Sequence, residues 1–171
     1  SGTDTLSLGG FRSEYEISGS GTNSRVYDRV FGETDEAISI ERLSFSDGTL
    51  AFDTGYAERA GTANRTYQAA FDGFHIDNLD RGYTFADMAN GFVNSPEFKA
   101  LYGAQVSNAN YVDLLYRNVL GRNGEAQGTA YWNDLLDSGR ANKNDVLIGF
   151  ADSPENMTLV APAIDDGIWY V

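Results

Sequence analysis

The single histidine, His75, lies between Asp72 and Asp77. A histidine beside a carboxylate can be oriented as a general base, and Ser13 or Ser18 would then be the hydroxyl to activate. Nothing in the spacing specifies that geometry, and no Gly-x-Ser-x-Gly turn presents a serine. An isolated histidine in loop-like sequence is ordinarily a surface or packing residue. The adjacent carboxylates Asp35-Glu36 and Asp165-Asp166 diverge along the chain and do not form an acid/base couple. One histidine and no cysteine leave zinc without a ligand set, and no Gly-x-x-x-x-Gly-Lys loop cradles a phosphate. Ser46, Asp47 and Asp53 offer oxygens for a metal loop, but Asp47-Gly48 between Phe45 and Leu50 reads better as a hairpin turn. Tyr131 and Trp132 have rings on which a sugar could stack; helical spacing with Leu135 and Leu136 assigns them to a core instead. The sequence predicts no catalytic residue.

What the sequence does specify is a duplicated unit. Residues 86–97, Ala-Asp-Met-Ala-Asn-Gly-Phe-Val-Asn-Ser-Pro-Glu, return as 144–155, Asn-Asp-Val-Leu-Ile-Gly-Phe-Ala-Asp-Ser-Pro-Glu. Both passages end in Gly-Phe, two residues, then Ser-Pro-Glu. That is a helix start with serine as N-cap, proline at the first position and glutamate at the positive dipole end. Thr84 with Asp87, and Asn142 with Asp145, have capping-box spacing. Ser107 and Gly121 bracket a helix with Tyr111, Val112, Leu114, Leu115, Tyr116, Val119 and Leu120 as its apolar positions. A helix over 125–136 follows, and Ala57 to Phe71 has one apolar or small-residue face. The spacing predicts an unequal helical duplication, roughly 57–104 and 107–160. The shorter first copy lacks a counterpart of Ala130-Tyr131-Trp132.

Residues ahead of position 57 have period two: Leu6 and Leu8, Tyr15 and Ile17, residues 25–30, then Ile38, Ile40, Leu43 and Phe45. The change of face near Glu41-Arg42 predicts a bulge or a break between strands, and glycines at 9–10, 19, 21 and 32 mark turns. A small antiparallel sheet of four to six strands is expected.

With 171 residues, 42% of them hydrophobic and including ten Tyr and ten Phe, the chain has material for a core without disulfides. A net charge of −13 opposes binding to nucleic acid or to an anionic membrane surface. No stretch approaches the roughly 18 apolar residues of a membrane span, and the first residues are not of the basic-then-apolar leader type.

Residues 111–122, Tyr-Val-Asp-Leu-Leu-Tyr-Arg-Asn-Val-Leu-Gly-Arg, with Ala130-Tyr131-Trp132 and with 145–155, closely resemble the DUF4214 family. The resemblance covers about residues 60–160. It implies a helical fold similar to that of phycobilisome linkers; the family's function is unknown. The first copy departs from the pattern at Asp72-Gly73-Phe74-His75. Gly2-Thr3-Asp4-Thr5-Leu6, Tyr15-Glu16-Ile17 and residues 40–49 resemble β segments that precede this domain in large secreted bacterial proteins with RTX calcium repeats. The nonapeptide repeats themselves are missing. Asp4 stands where the last half-turn of one would lie, so calcium is the one ion left open and Asp4 its candidate ligand. Asp165-Asp166 followed by Ile168-Trp169-Tyr170-Val171 resembles the acidic-then-apolar terminus of type I secretion substrates. A final strand or helix tail docking Trp169 on the core is an equal and compatible reading.

The expectations are therefore an α+β protein, with an antiparallel β segment at 1–56 and a DUF4214-like helical domain at 57–171. The function implied is that of a non-catalytic, C-terminal structural and export module of a larger secreted or cell-surface bacterial protein. Its partners would be the type I secretion machinery and the rest of the parent polypeptide, without nucleic acid or membrane insertion. The alternative is a surface module that binds calcium, carbohydrate or another protein.

Overall fold

Alternating apolar residues become strands where one face can be buried, and the first third of the chain follows that rule. The computed structural model describes residues 3–20, 22–55, 58–70, 79, 81–164 and 166–171, with the backbone alone for 20, 59 and 67–70. Within them the chain divides into two compact units, Ser1–Gly61 with Ala161–Val171, and Thr62–Val160. Both divisions fall inside helices.

The first unit holds β1 (Thr5–Ser7), a 3-10 turn (Arg12–Glu14), β2 (Tyr15–Ser20), β3 (Asn23–Asp28), β4 (Thr34–Ile38), β5 (Arg42–Phe45), β6 (Gly48–Ala51) and β7 (Ile168–Tyr170). They form two sheets, ordered β2-β3-β4 and β1-β5-β6-β7. The three-stranded sheet is antiparallel, with Ile17 opposite Val26 and Val26 opposite Asp35. The four-stranded sheet departs from the antiparallel expectation at one pair: β1 runs parallel to β5, with Leu6 opposite Leu43. A parallel pair needs a long connection, and β2 to β4 provide it. Turn signals report only on neighbouring strands, so this pairing left no local mark. The change of face near Glu41 is a break between β4 and β5. Ser39 turns the chain there with φ at 56°, a left-handed conformation uncommon outside glycine.

The core of this unit gathers Tyr15, Val26, Ala37, Leu43, Phe45, Leu50 and Phe52, with Leu6, Leu8, Ile17 and Ile40 against it. The β5–β6 hairpin turns through Ser46-Asp47, with Phe45 paired to Gly48. Asp47 Oδ1 accepts from the Arg12 amide at 2.8 Å, so the oxygen considered for a metal loop anchors the 3-10 turn instead.

The second unit is helical. In chain order the helices are α1 (Arg59–Ala70, shared with the first unit), α2 (Phe85–Asn94), α3 (Pro96–Tyr102), α4 (Asn108–Leu120), α5 (Ala126–Asp137), α6 (Lys143–Ala151) and α7 (Pro154–Ile164, also shared). Caps fall where the sequence predicts them. The Phe98 amide donates to Ser95 Oγ at 3.0 Å, and the Asn156 amide to Ser153 Oγ at 3.2 Å. Thr84 with Asp87 and Asn142 with Asp145 both close full capping boxes. The duplicated segments meet, because α2 of the first copy packs on α6 of the second. Phe98, Tyr102, Tyr111, Val112, Leu115, Tyr116, Val146, Leu147 and Phe150 share one core. In the first copy the stretch corresponding to α5 falls largely in 71–78 and 80, outside the described residues.

Gly48 is where β6 admits β7 most closely. A Cβ there would stand 2.7 Å from the Tyr170 carbonyl oxygen and press into the Trp169 ring. Gly48→Val is expected to cost about 1–3 kcal/mol by overpacking. Urea unfolding reads that loss, and faster hydrogen exchange confined to 168–170 and its β6 partners shows that it arises at this pairing.

Candidate functional site

Three arginine–carboxylate gatherings among the described residues also take in further hydrogen-bond partners. In the first unit, Arg42 is 1% exposed at the head of β5, the inner strand between β1 and β6. Its guanidinium is paired with Asp53, and Nη1 also donates to the Glu41 carbonyl at 3.0 Å. Asp53 Oδ2 accepts from the Ala60 amide at 3.2 Å, so the same carboxylate serves the positive end of α1.

In the second unit, Arg65 of α1 is also 1% exposed. Its Nε and Nη2 donate to Asp152 Oδ1 at 2.8 and 2.6 Å, and Thr62 Oγ1 donates to Asp152 Oδ2 at 2.9 Å. Asp152 is the C-cap of α6, inside the repeated passage. Its first-copy equivalent, Asn94, instead donates to the Asn90 carbonyl one turn back, at 2.8 Å.

The third gathering joins the most recognisable segments of the second copy. Arg122, just past α4, grips Glu155 with two bonds, Nε to Oε1 at 2.6 Å and Nη2 to Oε2 at 2.7 Å. Its Nη1 donates to Glu125 Oε2 at 2.6 Å, and its guanidinium lies 5.0 Å from the centre of the Tyr116 ring. The Tyr116 hydroxyl donates to Glu125 Oε1 at 3.3 Å. Hydrogen bonds from Arg122 hold the Glu125 and Glu155 carboxyls below the ordinary carboxylate range, and Glu155 in turn raises Arg122. Burial pushes the Tyr102, Tyr111 and Tyr116 phenols upward, away from ionisation. Such an arrangement can fix helices in register; it keeps its acids ionised and its phenols protonated.

The residues singled out in the sequence are dispersed. His75, Asp72, Asp77 and Asp165 lie outside the described residues. Ser13 is in the 3-10 turn and Ser18 is exposed on β2. Asp4 is exposed ahead of β1; its carbonyl accepts from the Glu41 and Arg42 amides, and its amide donates to Glu41 Oε2 at 2.8 Å. No three His, Cys, Asp or Glu side chains converge as a metal site among the described residues. Ile168, Trp169 and Tyr170 form β7, antiparallel to β6. Ile168 is buried, Trp169 lies 5.8 Å from Phe45 between ring centres, and Asp166 and Val171 are exposed. Trp132 packs against the helical core, as its spacing predicts, but Tyr131 on the same helix is 57% exposed. The two rings still touch, edge to face at 5.1 Å between centres, with Trp132 on the core side and Tyr131 on the solvent side.

Sequence reasoning missed the paired residues Arg42, Asp53, Arg65, Asp152, Arg122 and Glu155. The available signal was an arginine inside an otherwise apolar or small-residue run, as at Arg42 between Ile40 and Leu43 and at Arg65 two positions beyond Ala63.

The fold and these nodes define a class, an α+β protein whose helical part is braced by capped helices and mated charges. Residues 89–160 match the model of the family described as Domain of unknown function (DUF4214). The match begins at Ala89 in α2, later than the expected start near 60, and runs through α3 to α6 and most of α7. No curated protein and no solved structure matches the chain.

Because the folded-state values of Glu125 and Glu155 are depressed, their contribution is complete above the ordinary carboxylate range and disappears as pH falls through the depressed values. The stability gap between wild type and Arg122→Gln in urea is therefore widest above the ordinary carboxylate range and narrows as the pH is lowered through and below it. A gap independent of pH would refute this. Arg65→Met strands Asp152 and is expected to lose about 3–5 kcal/mol, most of it recovered when Asp152→Leu is added. Equal losses in the single and double variants would show that the pair itself is not what matters.

Proposed function

We propose that this chain is a non-catalytic structural and export module of a larger secreted or cell-surface bacterial protein, with residues 165–171 read as an uncleaved type I secretion signal. The observation that carries the structural half is the use made of charge. In the stretch that matches DUF4214, the Arg122 node joins Gly121-Arg122 to Ser153-Pro154-Glu155, the segments that make the family recognisable, and spends their charges on one another. Export is supported by the acidic-then-apolar order of Asp165-Asp166 and Ile168 to Val171, and by residues 142–171 holding one Lys against five carboxylates. The RTX-like strand segments at 2–6, 15–17 and 40–49 point the same way.

Fusion of residues 1–171 to a reporter in cells with a type I exporter tests the proposal. Export is expected, with its loss on deletion of 165–171. Because that deletion also removes β7 from its sheet, Gly48→Val serves as the companion variant: it strains the same pairing with the tail sequence intact, and it is expected to be exported like wild type. Absence of export, or undiminished export after the deletion, overturns the signal assignment.

A further inference from the structure

The three-stranded sheet of the first unit turns Ser24 and Val26 of β3 and Ala37 of β4 inward, all three buried. Asp35 lies opposite Val26 and two positions before Ala37, so it belongs to the same inward face. It is nevertheless exposed, because the core opens there into a cleft of about 500 Å³. Leu8 and Tyr15, which also pack in the core, form the apolar part of its wall; Glu14, Asp28, Glu33 and Asp35 supply carboxylates, and Val30 and Phe31 stand at its exposed side. Phe31 is 78% exposed, an uncommon position for a ring of that size on a turn held this firmly. The turn is pinned because Asp28 Oδ1 accepts from the Val30 and Phe31 amides at 2.7 and 3.0 Å, and the Asp28 carbonyl from the Gly32 amide at 2.8 Å.

Among the described residues no lysine or arginine lines this cleft. The cations next to its walls in sequence are engaged elsewhere: Arg12 donates to the Tyr15 carbonyl and lies over the Phe45 ring, and Arg29 pairs with Glu16 at 3.6 Å. Glu33 and Asp35 form no ion pair among the described residues. Four carboxylates repel an anion and attract a cation. They do not converge as a metal site. Carboxylates spaced around apolar walls suit a cation that is large, planar or carried on an aliphatic stem, with an apolar neighbour to cover Phe31. β4 ends the sheet order, so an extended chain would find an open strand edge beside Glu33 and Asp35.

We propose that this cleft docks a basic, apolar-alternating segment of a partner protein, its arginine held between Glu33 and Asp35 and its apolar neighbour covering Phe31. The inference stands independently of export. The test is fluorescence anisotropy of the whole chain at low ionic strength, with labelled Arg-Leu-Arg-Leu-Arg as the probe. Arg-Gly-Arg-Gly-Arg is the equally charged comparator. Glu33→Gln/Asp35→Asn and Phe31→Ser change exposed side chains and are each expected to weaken binding about tenfold, and the glycine peptide to bind more weakly in similar measure. Glu97→Gln/Asp113→Asn, which removes the same charge from the helical unit, is expected to leave binding within about twofold. No binding by wild type, equal weakening by the two charge-removing pairs, or equal affinity for the leucine and glycine peptides would each overturn the proposal.

Discussion

A guanidinium taken out of water must be met by a carboxylate, and each unit of this protein is organised around one such meeting. Arg42 and Arg65 are among the most deeply buried side chains in the structure, and each has an aspartate as its partner. Leaving either unpaired would place an uncompensated charge in a medium that cannot solvate it. The pairing therefore dictates more than its own geometry. Asp53 must lie where β6 gives way to α1, so that one carboxylate serves Arg42 and the Ala60 amide together. Asp152 must close α6 where it can reach both Arg65 and Thr62 of α1. The aromatic and aliphatic cores supply the bulk of the burial, and within each unit an ion pair ties a buried guanidinium to one aspartate.

The two copies of the repeat show the same constraint in divergence. Their capping chemistry is shared, with Thr84 and Asn142 at matching helix starts and Ser95 and Ser153 at the next. Their tertiary roles are not. Asp152 binds Arg65, whereas Asn94 folds back on its own helix. Gly149 faces Trp132 so closely that a Cβ would stand 2.7 Å from the ring, whereas Gly91 has nothing within 4 Å among the described residues. Local chemistry at helix ends is shared by both copies, while the contacts of Asp152 and Gly149 draw on α1 and α5.

Charge is distributed unevenly between these roles. The arginines of the helical unit are largely committed to internal or bracing pairs: Arg65 to Asp152, Arg122 to Glu125 and Glu155, Arg117 to Asp113, Arg140 to Asp134. With a net charge of −13, carboxylates outnumber cations, and the surplus stays on the surface. In the first unit part of that surplus surrounds a cleft whose apolar wall continues the core. An acidic surface of this kind favours approach by cationic groups and disfavours polyanions.

The sequence by itself determined the elements. Period-two and period-3.6 patterns, glycine punctuation and the Ser-Pro-Glu caps set the strands, the helix starts and the α+β order to within a few residues, because each depends on atoms close along the chain. It also marked the break near Glu41 and the core side of Trp132. Only the tertiary structure decided that β1 lies parallel to β5, that Ile168 to Tyr170 complete a sheet begun at the other end of the chain, that Tyr131 stays outside the core, and which aspartate meets which arginine. Those outcomes depend on pairings between distant segments, where loop closure costs entropy that only the assembled core and its satisfied charges offset.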